Sequence, residues 1–505
     1  MDRQITGRGP SFRPPQRRSN FYRVMLYLGL ILTGVWVLLG IQRGQIEPLF
    51  LPTPTPTRIA ESYIQEAEAY FAAGKLDDPS NNVKSTPTPL LAIPNPKVNA
   101  TDAETTPTTP TPVPEINDAI EAYRAALDVD PQNAQVWAEL ARIQAYSSST
   151  LRNDHERRDR LQAALESATK AVELAPDGSS AHAIRAFVLD WYASTPLVYE
   201  DEERSQELLN EANQEALVAF RLDPENALSL AYYAEILADQ QKWAQARQYA
   251  DQAVKQAPDL MDTHRVYGYV LEMYGEYNSA IQQYLEASHL APNLTFLLIR
   301  IGQNYREGLW RGNPVDKSMA LKALDYFDQA ARINEQLGVQ NAIPYLEIAQ
   351  TYTQLGEFFS ASLNAEKALS LDSNNAATYG QLGIIFQRAR NYEGSMELLR
   401  CAVRGCTAEQ NEMGGVAVEG LPLTNKTIAY YYVEYGTVLA FLSRPKENYC
   451  PEALPVLEEV RRTFPDDPTI IAIIEDSEGI CRRLDSAPPG GTQIGGTTPT
   501  PSPTP

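Results

Sequence analysis

The chain has 505 residues, 36 of them proline, and a formal net charge of −21 from 43 basic and 64 acidic side chains. A body this acidic lacks the basic surface that phosphate contacts require, which excludes a nucleic-acid-binding protein of the ordinary kind. With 43% hydrophobic residues the chain also has too much apolar side chain to be disordered throughout.

Residues 1–23 carry six arginines and read as a basic tail. An uncharged run follows, Val24 to Ile41, VMLYLGLILTGVWVLLGI, flanked by Phe21 and Tyr22. Length and flanking charge predict a transmembrane helix over 24–41, which is longer than a signal-peptide core and lacks a cleavage site. The arginine bias then places the amino terminus in the cytoplasm and the rest outside it, a single-pass protein of the cell membrane. Residues 42–57 include LPTPTPT and form a Thr/Pro linker. Similar composition marks an insertion at about 77–114 and a tail at 485–505. Alternating proline removes every second amide donor, so these stretches are expected to be disordered, extended spacers.

From 58 to 467 the pattern is helical with short turns. Pro224, Pro258 and Pro292 close successive helical runs at intervals of 34 residues. Within one interval, counting Met261 as position 1, Gly268 stands at 8, Gly275 at 15, Ala280 at 20, Tyr284 at 24, Ala287 at 27 and Pro292 at 32. Ala212, Ala219 and Pro224 repeat positions 20, 27 and 32, and Tyr379, Gly383 and Ala402 repeat 4, 8 and 27. Small residues at 8 and 20 let two helices approach, and proline at 32 ends the second. Gly268 therefore should not accept a larger side chain, whereas Gly394, at position 19, should accept alanine. This register closely resembles the tetratricopeptide repeat family over more than three quarters of the chain. The resemblance implies an all-α, right-handed α-solenoid of about nine helix pairs, with 468–484 as its capping helix. The first pair is expected to be split, Arg58–Leu76 finding its partner only after the insertion.

No catalytic signature is present. His155 lacks a second histidine at zincin spacing, and no nucleophile elbow, phosphate loop or dinucleotide fingerprint occurs. His182 and His264 fall at position 4 and read as packing residues. The sequence thus predicts no enzyme, no cofactor, no metal and no small-molecule substrate. Sequons at Asn99, Asn293 and Asn425 carry little weight. The resemblance implies a protein-interaction scaffold that binds protein or peptide partners in a groove, and here a membrane-tethered one; a structural spacer and an enzyme with an unrecognised site are the alternatives. By the family's groove positions, the lining residues are Glu235, Arg265, Tyr269, Glu272, Phe296, Gln303, Arg306, Gln350, Gln354, Gln387 and Arg388, with Tyr269 and Arg306 as the main anchors. Lysine and asparagine at positions 5 and 9, which a clamp for acidic carboxyl-terminal tails needs, occur together in no unit.

All four cysteines lie in the last quarter. If the capping helix folds back after Pro465, partners should be equidistant from that turn, and the midpoint of 450 and 481 falls on it. Cys450 is therefore expected to pair with Cys481, leaving Cys401 with Cys406; four free buried thiols are the alternative.

Overall fold

The computed structural model describes residues 20–42, 58–77, 116–151, 154–195, 198, 202–308, 317–411 and 413–485. The basic tail up to 19, the linkers of 43–57 and 486–505, the insertion of 78–115 and its sequon at Asn99 lie outside these. The described residues form twenty α-helices and no β-strand. Two units result, one up to Arg58 and one from Ile59 onward.

The first unit contains α1 (Phe21–Gln42). Among the described residues no helix is long and apolar enough to cross a membrane. The expected transmembrane helix, the single-pass assignment and the placement of the solenoid outside the cytoplasm are corrected accordingly.

The second unit is a run of helix pairs. They are α2 (Ala60–Ala72) with α3 (Ala119–Val129), α4 (Ala134–Ser148) with α5 (Asp154–Leu174), and α6 (Ser179–Ala193) with α7 (Glu202–Leu222). Next come α8 (Ala227–Asp239) with α9 (Trp243–Gln256), α10 (Met261–Met273) with α11 (Tyr277–Leu290), and α12 (Thr295–Gly308) with α13 (Lys317–Leu337). Then follow α14 (Ile343–Leu355) with α15 (Phe358–Leu371), α16 (Ala376–Arg388) with α17 (Tyr392–Arg404), and α18 (Lys426–Leu442) with α19 (Cys450–Thr463). The last helix, α20 (Pro468–Asp485), packs on α18 and α19. Between α2 and α3 the chain is joined by Ala119 N–H donating to Lys75 O and by the Tyr70 hydroxyl donating to Ile116 O at 2.8 Å.

The repeat chemistry has local causes. Asp118, Asn133, Asn226, Asn375 and Asn425 cap helices by accepting a backbone N–H in the first turn. The alanines at positions 20 and 27, such as Ala280 and Ala287, are completely buried. In four pairs the side chain at position 4 ties the pair to the turn before it. Trp137 Nε1 donates to Pro131 O at 3.0 Å, the Tyr379 hydroxyl to Ser373 O at 2.8 Å, and His264 Nε2 lies 2.9 Å from Pro258 O. His182 makes the same 2.9 Å contact with Pro176 O. These histidines are structural.

In five of the pairs position 15 ends the first helix in the left-handed region. Gly74, Gly275 and Gly356 stand there with φ near +76 to +80°. Gln241 and Arg390 occupy the same position at φ 60° and 64°. A side chain there is strained by contact of Cβ with the following carbonyl. Gln241→Gly or Arg390→Gly should therefore stabilise the chain by about 0.5–1 kcal/mol. Urea denaturation checks this; a loss of stability would mean the side chain does more than strain the turn.

Position 8 is where paired helices touch. A Cβ on Gly268 would lie 2.9 Å from the Tyr284 ring, and one on Gly302 2.5 Å from Phe327. Gly268→Leu should cost about 1–3 kcal/mol or more by overpacking. Thermal melts beside a Tyr284→Ala, Gly268→Leu double variant check it, because the smaller partner should relieve part of the loss. Gly394 differs from expectation. Its Cβ would lie 2.8 Å from Phe386 and 2.9 Å from Asn391, the cap of α17, so alanine is not free there.

Candidate functional site: the cleft on the coil axis

The early pairs wind so tightly that inner helices three and four pairs apart meet. Arg142 of α4 reaches Asp262 of α10 at 3.0 Å, across 120 residues of sequence. The Tyr146 and Tyr232 hydroxyls both donate to Asp262 Oδ1, the second at 2.6 Å. Burial alone would raise the Asp262 pKa, but Arg142 and the two hydroxyls outweigh it and hold the carboxyl below its usual range. Tyr146 stacks on Phe296 of α12 at 5.5 Å, and Phe187 on Tyr232 at 4.5 Å. The turn at Gly74 touches Asn293, closing the first pair onto the turn between α11 and α12.

Arg265 sits at the centre of this interior. Its guanidinium lies 5.3–6.0 Å from the ring centroids of Tyr146, Phe187, Trp191 and Tyr232. Two of its nitrogens donate to the two oxygens of Glu235, at 2.7 and 2.6 Å. Trp191 Nε1 donates to the same carboxylate at 3.1 Å.

Beside this core opens a cleft of about 400 Å³. Its walls come from the end of α4 (Ser148, Ser149), α5 (Arg157), α6 (Asp190, Trp191, Ser194, Thr195), α8 (Glu235, Asp239), α10 (Arg265, Tyr269) and α12 (Phe296, Arg300). Asp190 is 2% exposed, and its Oδ1 has no hydrogen-bond partner. Burial, then the neighbouring Asp239 and Glu235, raise its pKa well above the carboxylate range. Asp239 is also raised, chiefly by burial, while hydrogen bonds from Tyr269 and Asp190 oppose the rise. Burial and mutual proximity thus push both carboxyls toward the neutral form.

The expected groove residues divide into two groups. Glu235, Arg265 and Arg306 are 4%, 4% and 6% exposed and already neutralised, Arg306 by Glu347 at 2.5 Å. Closure of the coil makes Glu235 and Arg265 interior, and α13 and α14 cover Arg306 through Phe327 and Glu347. Arg306 therefore is no surface anchor. Tyr269 and Phe296 do line the cleft. Glu272 accepts from Tyr284, Arg300 and Asn304 at 2.8–3.0 Å. Gln303 donates to Glu347 and Gln387 to Glu434, linking neighbouring pairs. Gln354 is half-buried, and Gln350 and Arg388 are exposed. Asp190 was not among the expected residues. Its only signal was a single acid in the apolar run AFVLDWYA of α6.

Cys401 is bonded to Cys406, and Cys450 to Cys481. Among the described residues no cluster of three or more His, Cys, Asp or Glu is placed to hold a metal ion.

No family model matches the chain, and no curated protein does. Solved structures are similar to it at low identity. The Cut9–Hcn1 hetero-tetramer of the APC/C matches at 14% identity and TM-score 0.47, over 72% of this chain and 59% of that one. Human IFIT1, solved as a dimer with PPP-AAAA, matches at 15% and 0.45, over 70% and 73%. Yeast Tom70 matches at 13% and 0.42, over 73% and 86%. This chain thus spans little more than half of the first of these. Nothing about partners transfers at this distance. The tetratricopeptide-type fold rests on the chain's own paired helices, its position-8 contacts and its 34-residue register.

Proposed function

We propose that the protein is an interaction scaffold that holds a peptide segment of a partner protein in the axial cleft. The observation that supports this reading is the cleft itself. It is concave, built from helices of five successive pairs, and mixes aromatic surface (Trp191, Tyr269, Phe296) with charged groups of both signs. Aromatic anchors beside fixed hydrogen-bonding groups suit an extended or helical segment. The membrane tether expected from the sequence has no part in it.

The test is display of random linear peptides against the full chain, followed by binding of the selected peptides to variants. Tyr269→Ala with Phe296→Ala should weaken binding at least tenfold. Both residues also pack on their neighbours, so Ser194→Trp provides an independent arm. Ser194 is exposed at the cleft wall, and a ring there fills the site without removing a contact. Peptides that bind Ser194→Trp as well as the native chain would place the interaction elsewhere and end this reading.

A further inference from the structure

The buried side-chain atom left without a hydrogen-bond partner on the cleft wall is an acceptor. Each arginine on its wall is already matched: Arg157 to Asp154 at 2.6 Å, Arg265 to Glu235, and Arg300 to Glu272 at 3.0 Å. The Ser148, Ser149 and Thr195 hydroxyls donate back to carbonyls of their own helices, and Tyr269 donates to Asp239. What remains is Asp190, nine-tenths buried and more, with one oxygen unpartnered, next to Asp239. With the arginines neutralised pairwise, these two carboxyls set the sign of the site. A cation entering here would find an open, buried acceptor.

We propose that the cleft recognises a basic side chain, arginine or lysine, of the bound peptide, with its cation on the Asp190–Asp239 pair and its aliphatic stem against Trp191 and Phe296. The proposal rests on the reading of the cleft as a peptide site. A guanidinium or ammonium supplies the donor that Asp190 Oδ1 lacks, and the aromatic walls favour a cation over their faces. A cation beside the pair favours the ionised form of both carboxyls, in which each oxygen is an acceptor. The groups facing Asp190 are Asp239 and Glu235 from α8, Arg265 and Tyr269 from α10, and Arg157 from α5; α4 presents only Ser148 and Ser149. Lowering the pH keeps Asp190 protonated, so affinity for the basic peptide should fall as the pH falls.

Asp190 also works against the fold. Its folded pKa lies above the unfolded value, so its contribution to stability is complete at low pH and is lost as pH rises through the folded pKa. Asp190→Asn keeps the shape and a donor to Asp239, and should raise the melting temperature at pH 8. A purely structural residue would not show that gain together with loss of binding.

The probes are blocked pentapeptides, Ala-Ala-X-Ala-Ala, with X arginine, lysine, citrulline or glutamate, titrated into the full chain by ligand-observed NMR. Arginine and lysine probes should bind at least tenfold more tightly than citrulline, glutamate should not bind, and Asp190→Asn should remove the preference while remaining folded. Equal binding of citrulline, no binding of either basic probe, or an unchanged preference in Asp190→Asn overturns the proposal. The scaffold reading fails differently. If displayed peptides are blocked by Ser194→Trp yet need no basic residue, the cleft remains a peptide site and only the cation pocket falls.

Discussion

Asp262→Ala should destabilise the protein by about 3–5 kcal/mol, the range for breaking a buried ion pair by removing one partner. Asp262 is 1% exposed and accepts from Arg142, Tyr146 and Tyr232 at once. Alanine leaves Arg142 with Glu139 alone and strands two buried hydroxyls, each of which is expensive to leave unmade. The loss should be concentrated where the coil closes, because these bonds join α4 and α8 to α10. The comparison is Asp251→Ala. Its partner Lys255 is 72% exposed, so the pair is screened by solvent and its loss should be small. Guanidinium denaturation of both variants at pH 7 checks the contrast, and equal midpoints would remove the closure network as a source of stability. The pH dependence has a definite sign. The Asp262 pKa is lowered on folding, so its contribution is present above the unfolded value and is lost as pH falls through the folded value. The native chain should therefore lose stability more steeply in acid than Asp262→Ala does.

Helix pairing was legible in the sequence because its determinants are local. Gly268 against Tyr284, Ala280 and Ala287 in the interior, and Gly275 in the left-handed turn all lie within one 34-residue unit, so their spacing is visible in the order of residues. Coil closure was not legible. Arg142 and Asp262 stand 120 residues apart, and neither is unusual in its own helix. Groove positions taken from an open solenoid therefore assigned Arg265, Glu235 and Arg306 to a partner, when the chain itself provides their counter-ions. Tyr269 and Phe296 both border the cleft, Phe296 with the ring that also stacks on Tyr146. The run Val24–Ile41 misled in another way. The run predicted a membrane span, yet among the described residues no helix is long and apolar enough to cross a membrane.

Cys450→Ser with Cys481→Ser should lower stability by about 3–4 kcal/mol, the entropy of closing a loop of this length in the unfolded chain. The bond spans 31 residues and joins the first turn of α19 to the last third of α20. Both cysteines are buried in the core formed by α18, α19 and α20. The same calculation for Cys401–Cys406, with a separation of five, gives about 2 kcal/mol. The two bonds should therefore differ in consequence. Cys401–Cys406 only ties the end of α17 to the strand-like contact of Cys406 with Val418. Cys450–Cys481 holds the helix that covers the last pair, assisted by Arg461–Glu478 at 2.7 Å and by the Thr437–Ser477 hydroxyl contact at 3.0 Å. Without it α20 can leave, exposing Ile470 and Ile474, which are completely buried against α18 and α19. Hydrogen exchange should then show lost protection in α20 and α19 first, with α4 to α12 unchanged, since the axial network lies in a separate core. Uniform loss of protection along all the pairs would mean that the array unfolds as one unit and that the end helix does not act as a local cap.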